Sequence, residues 1–263
     1  MNWKGKTVWI TGASSGIGRA LATEFAKKGA HLLLSGRKTE ALEAVKAKCS
    51  KASAVDLLPF DLANYKDAEK WVAQALDRLG RVDLLINNAG ISQRSLIADT
   101  SMVVVEKLMQ VNYFGTVALT TALLPHWIER KAGKVATVTS LMGRFGSPYR
   151  SGYCGAKHAL HGFFDVLRME HEKDGLQVTL LAPGFVQTDI ARNALVGDGQ
   201  AQNSQDKATA NGLTPARCAA QMRKAIEKKK FEAYFGKKEV MGIYLKRFFP
   251  RLLHKRVMGA QVR

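Results

Sequence analysis

Tyr153 and Lys157 stand four residues apart in the stretch SGYCGAKHAL. Four positions is about one helical turn, so a phenol and an ammonium share one helix face. A phenol titrating near 10 exchanges protons sluggishly at neutral pH, and a neighbouring positive charge favours its ionised form. The pair therefore suits proton transfer to or from an oxygen. A second chemical stretch is TGASSGIGRA, residues 11 to 20, with glycines at 12, 16 and 18. Glycines there let the backbone turn sharply out of a strand and approach a phosphate, while the following helix offers free N–H groups and a partial positive charge. Because the turn opens the first strand–helix unit of the chain, it reads as a dinucleotide site rather than an ordinary loop.

A unit binding NAD is expected to place an acid about 20 residues beyond the glycines, on the ribose 2′-hydroxyl. Ser35, Gly36, Arg37 and Lys38 occupy that region. Arg37 suits bidentate contact with a 2′-phosphate, which points to NADP(H). The competing reading makes Arg37 and Lys38 solvated residues at a strand end.

The elements that must position these groups follow from the hydrophobic pattern. Apolar runs fall at 7–11, 31–36, 52–61, 82–90, 134–140 and 177–184, separated by longer segments with apolar residues every three or four positions. Strand–helix alternation implies parallel βαβ units, and near-continuously apolar strands imply a sheet covered on both faces. The expected architecture is α/β, a doubly wound parallel sheet (Rossmann fold) of at least six strands with helices on both faces. Residues 1–236 read as one catalytic domain. Within it, 192–213 is a long polar stretch with no apolar face, either a mobile substrate lid or a surface insertion.

The chain has 263 residues, 46% hydrophobic and 24% charged, as in ordinary globular proteins. Its net charge of +18 is uneven: residues 223–263 hold 13 Lys/Arg against three acids, a net of +10. Cys49, Cys154 and Cys218 form no CxxC pair or metal-type cluster, so no metal is expected and a reducing cytoplasm fits. No apolar leader precedes the first strand, and no apolar run is long enough to span a bilayer. The expected location is cytoplasmic, with attachment to a membrane surface left open.

Several motifs occur together: T-G-x3-G-x-G at 11–18, Asp61, Asn87-Asn88-Ala89-Gly90, Asn112, Ser140, Tyr153-x3-Lys157, and Pro183-Gly184 with Thr188. Over about residues 5–190 this set, in order and spacing, resembles the short-chain dehydrogenase/reductase family. Within it, SPYRSGYCGAKHALHGFFDVLRMEHE and VTLLAPGFVQTDIARNAL are most similar to the branch of 11β-hydroxysteroid-dehydrogenase-like enzymes and the dehydrogenase/reductase member 7B type. The resemblance implies Asn112, Ser140, Tyr153 and Lys157 as the catalytic set. Tyr153 would be the general acid in reduction and the base in oxidation, with Lys157 also binding the nicotinamide ribose. Ser140 would orient the substrate oxygen; Thr-Ser-Leu-Met-Gly is not the G-x-S-x-G elbow of a nucleophilic serine. Asn112 would mark a helix kink holding a relay water near Lys157.

For the cofactor, the resemblance implies Gly12, Ser14, Ser15, Gly16, Ile17 and Gly18 on the phosphates. Asp61 would lie at the adenine amine, with Asn88, Ala89 and Gly90 on the adenosine side. Pro183, Gly184 and Thr188 would lie at the nicotinamide. It further implies a homodimer or homotetramer paired through helices within 100–127 and 152–173.

Leu141, Met142, Phe145, Tyr149 and Phe185 are expected around the reacting carbonyl, which favours a small hydrophobic carbonyl/alcohol substrate. Residues 237–263 read as a basic amphipathic extension, with Pro250 interrupting its helical pattern. Three roles stay open for it: packing on a subunit or the pocket mouth, peripheral membrane contact, or nucleic-acid binding. No recognisable module supports the last, so no nucleic acid is expected. Two readings compete with an enzyme: a cofactor-binding sensor or scaffold without turnover, and a membrane-surface protein with a vestigial enzyme fold.

Overall fold

A computed structural model describes residues 2–259. The first strand, β1 (Thr7–Thr11), is buried along its whole length. Its residues face two different cores: Val8 and Ile10 pack on one side of the sheet, Trp9 on the other. That alternation of wholly apolar faces is what a centrally placed parallel strand requires.

Six further strands join it: β2 (His31–Ser35), β3 (Ala54–Leu57), β4 (Leu84–Asn87), β5 (Gly133–Val138), β6 (Leu176–Pro183) and β7 (Glu232–Phe235). All neighbours pair in parallel, in the order β3-β2-β1-β4-β5-β6-β7. Strand order reverses between β1 and β4, so the crevice for a ligand opens at their carboxyl ends.

On one face lie α1 (Gly16–Ala26) and α2 (Thr39–Lys46), with Leu21, Phe25 and Leu42 in the core. On the other face are α3 (Ala68–Leu79), α4 (Met102–Met109), α5 (Gly115–Arg130) and α6 (Ser151–His171). Trp71, Leu119, Trp127 and Phe164 fill the core there. A single helical turn, α7 (Lys207–Ala210), precedes α8 (Pro215–Glu227), which packs beside α1. The chain continues into α9 (Met241–Phe248) and α10 (Pro250–Gly259).

The sequence pattern falls short at β7, whose four residues follow the basic run KKKF and offer too brief a period to read. The third strand is shorter than the apolar run 52–61, because Pro59 cannot donate to a ladder. Pro250 divides the tail as expected: it sits at the first position of α10, where its missing N–H costs nothing.

Candidate active site

Gly12 and Gly16 both take positive φ, 62° and 51°, which side chains disfavour. Gly18 is excluded from substitution by space instead: a Cβ there would lie 2.1 Å from the Gly12 carbonyl oxygen. Asn88 ties this turn to β4, donating from Nδ2 to the carbonyls of Thr11 (3.0 Å) and Gly12 (3.2 Å). The Thr11 hydroxyl in turn accepts from the Asn88 and Ala89 amides. Ser15 stands at the N-cap of α1 with no side-chain hydrogen bond to the helix, and Ser14 and Ile17 flank it half-buried. The first amides of α1 thus meet a glycine-lined cradle that a Cβ would fill, which fits a pyrophosphate.

Around this cradle, Arg37 is exposed just past β2, and the preceding Gly36 approaches Ser14 of the turn. Asp61 is half-buried beyond β3, and its carboxylate accepts from the Ala63 amide (3.0 Å). Thr188 packs over Gly16; a Cβ on that glycine would lie 3.0 Å from its methyl. Pro183 ends β6 and Gly184 follows it against Leu141 and Glu239.

The four candidate catalytic residues lie on the other side of the crevice, all nearly closed to solvent. Lys157 Nζ donates to the Val138 carbonyl (2.9 Å) and sits 5.8 Å from the Tyr153 ring centre. Burial alone lowers its pKa to about 8. Asn112 occupies a π-helical turn, Gln110–Phe114, between α4 and α5, which is the kink expected there. Its amide grips one residue by both backbone groups: Oδ1 accepts from the Ile91 amide (2.8 Å), and Nδ2 donates to the Ile91 carbonyl (2.9 Å). The expected relay role therefore has to be compatible with a side chain already committed to holding the segment after Gly90.

Ser140 follows β5, its hydroxyl accepting from the Met142 amide (3.2 Å) and donating to the Pro183 carbonyl (3.4 Å). The Tyr153 phenol departs from the sequence expectation that Lys157 would hold it low. Burial raises it above its ordinary value, opposed by the nearby Ser140 hydroxyl and by the charges of Arg94 and Arg150.

The lining also needs correction. Leu141 and Phe145 turn away from the crevice into a separate cluster with Ala182 and Leu253. Tyr153 is surrounded instead by Val104, Leu108 and Leu195, with Ile91 and Met142 packed against them. Leu195 belongs to the 192–213 stretch, so that stretch is not a surface insertion. It pairs with Gln93 and Ala201 and sends Leu195 inward. Gln93, which sequence reasoning missed, is fully buried and caps α6: its Oε1 accepts from the Gly152 amide (2.8 Å). Its only sequence signal is an amide three residues beyond the Asn-Asn-Ala-Gly motif.

The tail packs by one face on the turn that follows Ser140. Leu253 is buried there, and Gly242 lies so close to the Phe145 ring that a Cβ would approach it to 2.8 Å. On the opposite face Met241, Tyr244, Phe248, Phe249 and Leu252 are exposed. They alternate with Lys246, Arg247, Arg251, Lys255 and Arg256, and no acid occurs between 241 and 259. Among the described residues, no helix is long and apolar enough to cross a membrane.

A glycine cradle at the β1/β4 switch point, facing a buried Ser–Tyr–Lys set on β5 and α6, defines a class of nicotinamide-dependent oxidoreductases. The family model described as "short chain dehydrogenase" matches residues 6–198, and the chain belongs to that family. It is 39% identical over 262 residues to "Dehydrogenase/reductase SDR family member 7B" of Mus musculus, covering 97% of this chain and 81% of the mouse protein. Among solved structures, a short-chain dehydrogenase from Streptomyces avermitilis superposes with a TM-score of 0.81 at 28% identity, covering 96% of this chain and 97% of that one. A short-chain dehydrogenase/reductase from Burkholderia phymatum, solved in complex with NAD, shares the fold with a TM-score of 0.84 at 24% identity over 96% of each chain.

Proposed function

We propose that the protein is an NADP(H)-dependent oxidoreductase for a hydrophobic ketone, aldehyde or alcohol, with a steroid- or lipid-like substrate within its range. The observation that carries the reading is the convergence of Ser140, Tyr153 and Lys157 beneath an apolar wall, opposite the glycine cradle. When bound, the cofactor supplies or accepts the hydride. The Tyr153 hydroxyl gives its proton to the substrate oxygen in reduction and recovers it in oxidation. Ser140, at the end of β5, holds that oxygen in line. Lys157 adds positive charge beside the phenol whenever it is protonated, and Asn112 fixes the Ile91 backbone that closes the pocket. Val104, Leu108, Met142 and Leu195 exclude water and favour an apolar substrate.

Arg37 supports the phosphorylated cofactor. It stands one residue beyond Gly36, which approaches the glycine turn, and no acid occupies residues 35–38. The test is equilibrium binding of NADPH and NADH, followed by turnover against apolar ketones and aldehydes. NADPH preference with turnover supports the reading; tight binding without turnover favours a sensor, and binding of neither rejects the cofactor site.

Two features of the surface carry further proposals. Phe114, Val166 and Met169 are exposed on the π turn and α6, which supports pairing into a homodimer or homotetramer; light scattering tests it. The exposed aromatic and cationic face of α9–α10 supports peripheral contact of a cytoplasmic protein with an anionic membrane, tested by liposome sedimentation with and without residues 237–263.

A further inference from the structure

Three charged side chains behind Tyr153 are almost wholly removed from water: Arg94 (4% exposed), Arg150 (1%) and Asp206 (2%). They come from three separate segments. Arg94 follows the Asn-Asn-Ala-Gly motif, Arg150 lies three residues before Tyr153 at the start of α6, and Asp206 belongs to the 192–213 stretch. Asp206 Oδ2 accepts from Arg94 Nη2 (2.6 Å) and Nε (3.0 Å) and from Arg150 Nη2 (3.3 Å). Although Asp206 stands at the N-cap of α7, its carboxylate makes no cap to that helix; it faces the two guanidiniums instead.

Buried charges persist only when paired and hydrogen-bonded, and here one carboxylate bonds both guanidiniums. The remaining donors are engaged locally. Arg94 Nη1 donates to Ser92 Oγ and the Gln93 carbonyl, and Arg150 Nη1 to the Pro148 carbonyl. Backbone pairing runs alongside: Leu195 N–H donates to the Ser92 carbonyl (2.9 Å), and Arg94 N–H to the Leu195 carbonyl (2.8 Å). The 92–94 segment thus holds Tyr153's helix through Gln93 and the pocket wall through Arg94.

We infer that Arg94, Asp206 and Arg150 form a buried latch that closes the 192–206 wall against Tyr153 and fixes its charges beside the catalytic helix. They are positioning residues for the proposed oxidoreductase reaction, and the inference rests on that reading for its catalytic consequence. The groups facing the phenol are Ser140 from the end of β5, Lys157 and Cys154 on α6, and the two guanidiniums. Both arginines push it toward the ionised form. Asp206, bonded to both guanidiniums, carries the opposite charge and so opposes them. Removing the anion and removing a cation must therefore move the phenol in opposite directions.

The test uses Asp206→Asn, Arg150→Gln and Arg150→Lys in the full chain. Ultraviolet difference titration of each protein against its own Tyr153→Phe counterpart reads the phenol without requiring turnover. Asp206→Asn is expected to lower its pKa and Arg150→Gln to raise it by about half a unit or more, with Arg150→Lys staying close to the parent. Limited proteolysis within 192–206 is expected to run at least ~10-fold faster in Asp206→Asn, because local opening governs cleavage. Shifts of the same sign in Asp206→Asn and Arg150→Gln, or none, overturn the electrostatic role; unchanged cleavage overturns the closure. Should Asp206→Asn not fold, the Arg150 pair alone decides the sign. Loss of turnover in the parent protein would reject the proposed reaction while leaving both readouts in force.

Discussion

Along the β1–β4 side of the crevice the contacts are between backbone and glycine: Gly12 beneath Ala89, Gly18 against the Gly12 carbonyl, and Asn88 bonded to two carbonyls of the turn. Across the crevice they are made by polar side chains that reach to distant segments, as with Asn112 on the Ile91 backbone and Asp206 on Arg94 and Arg150. The first arrangement fixes a shape that a shared cofactor recognises and leaves little to vary. The second fixes a position through charge and amide pairs whose members can change while the strands beneath them stay put. Cofactor recognition is thereby built into the fold, and substrate selection into what is fastened over it.

The sharpest way to break this division is at Tyr153. Removal of its hydroxyl in Tyr153→Phe is expected to cut turnover by roughly 10³-fold while leaving dinucleotide affinity within a few-fold, measured by kinetics and by binding on the same preparation. Gly18→Ala should do the reverse. The added carbon meets the Gly12 carbonyl at 2.1 Å, so it is expected to lose about 2–3 kcal/mol of stability in denaturant titration together with cofactor binding. A change in catalytic rate at intact cofactor affinity would contradict the comparison. Smaller still, Arg37→Asp is expected to weaken NADPH by about 10- to 100-fold and spare NADH, since a single charge-assisted contact is exchanged for a repulsion. Equal loss for both dinucleotides would show that Arg37 does not read the phosphate.

A more gradual effect sits beneath the Ser140 turn. His161 is buried against Gly143, and neither ring nitrogen has a hydrogen-bond partner among the described residues. Glu232 lies 3.5 Å away, but Arg144 binds both oxygens of that carboxylate. Burial drops the imidazole pKa from 6.5 to about 4. Between those values the unfolded chain holds a proton that the native protein refuses, so stability must fall as pH drops from 6.5 towards 4. The slope from this one group is about 1.4 kcal/mol per pH unit at most. His161→Leu should flatten that limb of the stability profile; an unchanged slope would assign the acid sensitivity elsewhere.

Legibility in the sequence followed the same division. The glycine turn, Asn88 and the Tyr153–Lys157 pair are local patterns whose spacing states their geometry, and the strand runs gave the sheet order its raw material. Asp206 is 112 residues from Arg94, and nothing in DKAT or SQRS indicates that the two meet. Leu141 and Phe145 illustrate a subtler limit: apolar residues beside a catalytic serine can face either way, and it is α9 and α10, packing from behind, that make them face the core. Leu195 was hidden because one inward side chain among polar neighbours has no period.

That last arrangement also sets an order of events during synthesis. The cradle of β1, α1 and β4 is complete within the first ninety or so residues, and it can begin to take shape while the rest is still being made. The turn after Ser140 waits for Leu253, which emerges more than a hundred residues later; at typical elongation rates that leaves Leu141 and Phe145 uncovered for on the order of 10 s. The nascent protein thus holds a finished dinucleotide cleft beside a greasy, unshielded ledge, and holdase chaperones would find their target at that ledge.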